Sequence, residues 1–133
     1  MLKLIYTFLL SLPFIFALDM MWLGLFAKEF YNKAMSPILT LKFNWSAVIV
    51  FYLLYLIGVF MFAIMPGIEA KSLQRTVILA AAFGFFCYMT YDLTNLATVK
   101  DWPIKLALID IIWGTILSAF SALIAYKIYF WIA

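Results

Sequence analysis

The sequence predicts an all-α integral membrane bundle of four transmembrane helices joined by short loops, and three observations carry that prediction. Of the 133 residues, 69% are hydrophobic and 20% aromatic, with a mean hydropathy of +1.14. Charged residues make up only 11%, against roughly 25% in a soluble domain. Four apolar stretches, at 4–26, 45–65, 76–98 and 104–131, are each long enough to cross a hydrocarbon layer of ~30 Å. They occupy the chain 1–133 as a single transmembrane domain and leave no room for a soluble catalytic domain. Any function therefore sits in or at the bilayer.

The first span, 4–26, follows Lys3. A basic start and an apolar run also describe a secretory signal, but this run exceeds the usual apolar core and no small-x-small cleavage site precedes a soluble stretch. It is expected to stay as a span. Pro13 removes one backbone hydrogen bond and is a candidate kink. Asp19 comes late in the span, with Trp22 one turn further along the same face.

Residues 27–44 are the longest and least apolar connection, carrying Lys28, Glu29, Lys33 and Lys42 and broken at Ser36 and Pro37. Phe26, Phe30, Tyr31, Met35, Ile38 and Leu39 recur at helical spacing. The pattern fits either a loop anchored at the interface by aromatics or a short amphipathic helix that lids the bundle. The second span, 45–65, contains no carboxylate, and Pro66 with Gly67 reads as its stop. Tyr52 and Tyr55, three residues apart, read as packing aromatics that borrow a backbone acceptor.

The third span, 76–98, is almost wholly apolar as far as Cys87 and then turns polar with Tyr88, Tyr91, Asp92, Thr94 and Asn95. On a helix, Gly84, Tyr88, Asp92 and Asn95 share a face, with Tyr91 at its edge. Cys87, as the one cysteine, excludes an internal disulfide and reads as a packing residue. Lys100, Asp101, Trp102 and Pro103 form a tight turn, in which Asp101 suits a helix N-cap, Pro103 the first helical turn and Trp102 the membrane interface. The fourth span, 104–131, carries Asp110 and Trp113, then a stripe of Ser118, Ser121, Ala122 and Ala125 that lets a neighbouring backbone approach closely. Left exposed, that stripe would be a homodimer face. Lys127 is placed to snorkel to the surface.

The spans alternate in direction, which puts three carboxylates at one depth. Asp19 lies nine residues before Lys28, Asp92 eight before Lys100 and Asp110 eight after Trp102, or ~12–13 Å of helix in each case. A lipid-facing Asp costs about 2.5–3.5 kcal/mol at the helix centre, so these side chains must face protein or water. Three anions so placed in a low dielectric cannot all stay ionised unless a cation is bound, and no Lys or Arg lies in the inner part of any span. The expected site is therefore Asp19, Asp92 and Asp110 sharing protons, with Asn95, Thr94, Tyr88 and Tyr91 as hydrogen-bonding partners and Trp22 and Trp113 as walls.

Tyr91 to Thr98, followed by Lys100 to Pro103 and by Asp110 to Thr115, resembles the bacterial membrane family catalogued as domain of unknown function 2177. Leu18, Asp19, Trp22 and Gly24 in the first span and Phe51, Tyr52 and Tyr55 in the second fit the same family. The resemblance extends over essentially the whole chain. It implies a four-helix, multi-pass protein of the bacterial inner (cytoplasmic) membrane, and no particular activity.

Three functions stay open at this point. The first is a carrier in which the acidic and aromatic pocket binds and translocates a small ligand or cation coupled to protons. The second is a membrane-embedded enzyme acting on a lipid or isoprenoid by carboxylate acid–base chemistry. The third is a small structural subunit of a larger membrane complex, with the carboxylates as helix glue. No cofactor is expected: with no His and one Cys, haem, iron–sulfur and zinc centres lack their usual ligands. No metal site is predicted, although a hard cation would find oxygen ligands. The net charge of +3 comes from scattered single residues, too sparse for nucleic acid. Expected partners are the lipid bilayer, a small ligand, cation or lipid, and a second copy of the chain. Charge does not orient the bundle, since Lys3, Lys71, Arg75 and Lys127 on one side face Lys28, Lys33, Lys42, Lys100 and Lys105 on the other.

Overall fold

The computed structural model describes residues 1–35 and 43–132, so Ser36, Pro37, Ile38, Leu39 and Lys42 lie outside the described residues. Four of its helices are long and apolar enough to cross a membrane: Leu2–Leu25, Trp45–Glu69, Leu73–Thr98 and Ile104–Trp131. In chain order, α1 (Leu2–Met21) runs on through Pro13 and ends in a π-helical turn, Trp22–Phe26. Next comes α2 (Lys28–Met35), so the first connection contains a short amphipathic helix. Three spans follow: α3 (Trp45–Glu69), α4 (Leu73–Thr98) and α5 (Ile104–Trp131).

Pro66 and Gly67 do not stop α3, which continues to Glu69. A second π-helical turn, Phe60–Ile64, lies just before them. There the backbone register slips by one residue, so a residue with no N–H sits where the helical ladder is already interrupted. The helix ends instead in a Schellman turn: the Ser72 amide donates to the Gly67 carbonyl at 3.0 Å and the Lys71 amide to that of Ile68 at 3.0 Å. Ser72 then caps α4, its hydroxyl accepting from the Arg75 amide at 3.1 Å. Gly67 is required by close approach, because a Cβ there would overlap the Thr76 side chain at the start of α4.

Lys71 occupies the left-handed position of this turn, with φ 50°. A side chain there costs on the order of 1 kcal/mol that glycine avoids, partly offset by the greater freedom of glycine in the unfolded chain. Lys71→Gly is therefore expected to raise stability by about 0.5 kcal/mol in a denaturant titration of the purified protein. A fall in stability would show that the Lys71 side chain contributes more than its backbone strain costs.

The turn after α4 also departs from expectation. Asp101 is left-handed (φ 59°) and does not cap α5; Pro103 takes the N-cap position with no side-chain cap. A short polar side chain tolerates that backbone better than most, which accounts for Asp at this place. Trp102, expected at the interface, is buried, packing with Leu106 and Ala107 beneath Phe30, Tyr31, Ala34 and Met35 of α2. The amphipathic helix thus covers the end of the α4–α5 hairpin.

That hairpin is the centre of the bundle. Gly84 of α4 meets the Gly114 carbonyl and Ser118 of α5, and the Tyr88 ring lies where a Cβ of residue 114 would be. Small residues four apart on both helices permit this approach. The stripe Ser118, Ser121, Ala122 and Ala125 is fully buried, so it serves packing within the bundle and is not exposed as a homodimer face. α1 packs along α5 through Thr7, Ser11, Ile15 and Asp19, each buried and each four residues from the next. α3 touches α4 chiefly through the π-helical turn at 60–64, near which Val59, Phe60, Ala63 and Ile64 join Ile15, Ala80, Ala122 and Ala125 in one core. Leu9, Phe14, Leu54, Phe62, Phe86, Ile112 and Phe120 are among many large apolar side chains left exposed, as suits helices whose outer faces meet lipid.

Candidate intramembrane carboxylate site

The three carboxylates occupy two neighbouring places rather than one. Among the described residues no group of three acidic side chains is close enough to share a metal ion. Asp19, 6% exposed, ends the buried face of α1. One of its oxygens accepts from Trp113 Nε1 of α5 at 3.0 Å and the other from the Tyr52 hydroxyl of α3. One carboxylate thus ties three spans together. Beside it, Trp22 at the start of the first π-helical turn stacks flat on Trp113, with centroids 4.6 Å apart and planes within 7°. The slip in register at that turn follows the last helical turn of α1, which carries Asp19, so carboxylate and indole engage the same α5 tryptophan.

Asp92 and Asp110 form the second place. Asp110 is half-buried on α5 and accepts from the Tyr31 hydroxyl of α2 at 2.6 Å. Burial first, and then the bond to Asp110, push the Tyr31 phenol above its ordinary range, so it stays a donor. Asp92 of α4 is 1% exposed, and neither of its oxygens has a hydrogen-bond donor among the described residues. The carboxyl group of Asp110 on α5 lies beside it. Two carboxyl groups in that relation satisfy each other when one proton lies between them.

The other expected site residues distribute unevenly. Tyr88 and Tyr91 flank this pair on α4, and Asn95 is half-buried beside Tyr91. Thr94 is exposed, and its hydroxyl is spent on the carbonyls of Thr90 and Tyr91 in its own helix, away from the carboxylates. Trp22 and Trp113 stack between helices rather than walling a pocket. The cavity lies instead between α3 and α4, where the helices part beyond the π-helical turn at 60–64, and its volume is about 570 Å³. Phe51, Tyr55, Phe83, Tyr88 and Tyr91 give it aromatic walls; Leu54 and Cys87 complete the apolar lining, and Asp110 is its one carboxylate. Phe51, Leu54, Cys87 and Tyr91 are exposed, so the cavity opens to the surface of the bundle that faces lipid.

Three site residues escaped the sequence reading. Tyr52 bonds to Asp19, and Tyr55 to the Ser118 hydroxyl, where backbone acceptors were expected for both. Tyr31 stood among the aromatics of the first connection, with no signal linking it to Asp110, 79 residues away. Only the phenol types and the known shortage of donors for three carboxylates pointed to such partners.

A family of predicted membrane proteins, DUF2177, matches residues 4–127. The chain belongs to that family. The match contains all three carboxylates, Tyr31, Tyr52 and both stacked tryptophans, so the whole polar site lies within the family's domain. No curated protein and no solved structure matches the chain. The DUF2177 membership thus establishes a multi-pass membrane protein, and its chemistry has to be argued from the site.

Proposed function

We propose that this DUF2177 protein is a carrier of the bacterial cytoplasmic membrane that binds a small ligand at Asp110 and couples its passage to protons through the Asp92–Asp110 pair. The observation that carries the reading is Asp92, a carboxyl group buried in a span with no donor among the described residues except a proton on itself or on Asp110. A group buried only to lock helices together is better served by fixed donors, as Asp19 is by Tyr52 and Trp113. Intramembrane carboxylates without fixed partners are the usual means of moving protons or ligands. Tyr31 adds a route for coupling. A ligand that engages Asp110 competes with the Tyr31 hydroxyl for the same oxygens and loosens α2 from the end of the hairpin.

The test is infrared spectroscopy of the purified protein in lipid nanodiscs near neutral pH. The expected result is the carbonyl stretch of a protonated carboxylic acid, absent in Asp92→Asn and shifted in frequency in Asp110→Asn. On transfer to heavy water that proton should exchange far faster than the amides of the spans. A carboxyl that exchanges no faster than those amides is a sealed structural plug, and absence of the band removes the shared proton. Either result ends the proposal.

A further inference from the structure

We infer that the cavity between α3 and α4 is a binding site for a lipophilic organic monocation, which enters from the lipid and pairs with Asp110; this deepens the proposed function by naming the ligand class, and it rests on Asp110 being the ligand-facing member of the pair. A volume of about 570 Å³ lies within the roughly 300–1,000 Å³ of pockets that enclose drug-sized molecules. The lining decides the chemistry. A hydrated inorganic cation needs several oxygen ligands, but the walls are aromatic rings and the three acidic side chains do not converge. An anion would meet Asp110 with Asp92 behind it and no basic side chain in the lining. A neutral acyl chain would fit the walls but leave Asp110 desolvated and without a counter-charge.

A cation with an apolar body satisfies both parts of the site. Phe51, Tyr55 and Phe83 give the body an aromatic wall, and the π-systems of aromatic rings attract a cation. Asp110 supplies the opposite charge. The groups facing Asp110 are Asp92, Tyr88 and Tyr91 from α4 and Tyr31 from α2; beyond them Asp19 is held by Tyr52 and Trp113. All the acidic members can exchange protons, and none of these groups is a fixed cation. Arrival of a monocation should therefore displace the proton that the carboxyl pair shares, and binding should weaken as pH falls.

Equilibrium binding of tetraphenylphosphonium to the purified full chain in nanodiscs tests this, with tetraphenylborate as the anion of the same shape. The chain carries one cysteine, Cys87, which lines the cavity and reports occupancy through its rate of alkylation by N-ethylmaleimide. The expected results are saturable binding of the phosphonium, slower alkylation of Cys87 in its presence, and affinity falling by up to tenfold per pH unit on acidification. The borate should show none of these. Asp110→Asn should weaken phosphonium binding at least tenfold; should that variant fail to fold, the pH dependence and Cys87 protection of the parent decide alone. Equal binding of both ions, pH-independent binding, or a co-purifying lipid that the phosphonium does not displace from the cavity would each overturn the inference. Absence of phosphonium binding alongside a fast-exchanging carboxyl removes the cation and leaves the proton-coupled site; loss of both removes both.

Discussion

Gly84→Val is expected to destabilise the bundle by at least about 3 kcal/mol and to leave little folded protein. A Cβ at residue 84 overlaps the Gly114 carbonyl oxygen and both side-chain atoms of Ser118 on the facing helix. The hydroxyl could turn away, but the carbonyl belongs to the backbone of α5, so relief requires the two helices to separate. Overpacking in a well-filled core usually costs about 1–3 kcal/mol, and more where the obstacle is backbone. Against total stabilities of ~5–15 kcal/mol, that is a large fraction. Separation would also pull Ser118 from the Tyr55 hydroxyl of α3 and Tyr88 from its seat over Gly114, so the loss spreads to a third span. Gly84→Ala should cost about 2 kcal/mol, and Ser118→Ala in that background should restore only part of it. Gly24→Ala is the control, with nothing within 4 Å of its Cβ, and should stay within about 0.5 kcal/mol of the parent. Unfolding in mixed micelles, followed by tryptophan fluorescence, makes the comparison. Equal midpoints for the parent and Gly84→Val would show that α4 and α5 do not pack as described.

Asp19→Leu is the second large effect, expected at about 2–4 kcal/mol. The substitution removes both acceptors at once and strands the Tyr52 hydroxyl and Trp113 Nε1 where lipid and apolar side chains offer no replacement. A buried donor left unpaired costs about 1–3 kcal/mol, although hydrogen bonds between membrane helices average nearer 0.6 kcal/mol because the separated helices also find partners. The loss here exceeds that average because one side chain serves two donors from two other spans. Asp19→Asn keeps one acceptor oxygen and should recover about half the loss. Tyr52→Phe combined with Asp19→Leu should cost less than the sum of the two singles, since the orphaned hydroxyl is gone. The same unfolding assay reads the four variants against the parent. Additive costs would mean that Tyr52 and Asp19 do not interact.

The two carboxylate places respond differently to such changes because they are built differently. Asp19 has its donors fixed in the fold, so its removal is a stability effect. Asp92 has none among the described residues, so Asp92→Asn is expected to alter proton exchange far more than stability. Asp110 stands between these cases, sharing one oxygen with Tyr31 and facing the cavity.

Much of the architecture was legible along the chain because hydrocarbon imposes a length and a polarity on every span. The four apolar stretches mark the four long helices, their ends moving by a few residues where local backbone chemistry intervened: Ser72 caps α4 earlier than the apolar run begins, and the π-helical turn at 60–64 carries α3 past Pro66. The depth of Asp19, Asp92 and Asp110 also followed from counting residues, since a helix advances by a constant rise. Which donor reaches which acceptor did not follow. On a lipid-exposed helix the inner and outer faces are both apolar, so periodicity does not reveal rotation about the axis, and a hydrogen bond of about 3 Å depends on that rotation. The sequence by itself determined a four-span protein with three carboxylates at one level and few donors to satisfy them. The tertiary structure decided that Tyr52 and Trp113 take Asp19, that Tyr31 on a short helix between spans takes Asp110, and that Asp92 is left without a hydrogen-bond donor among the described residues. It could do so because close approach at Gly84 and Gly114, together with register slips in α1 and α3, sets the helix rotations that composition leaves free.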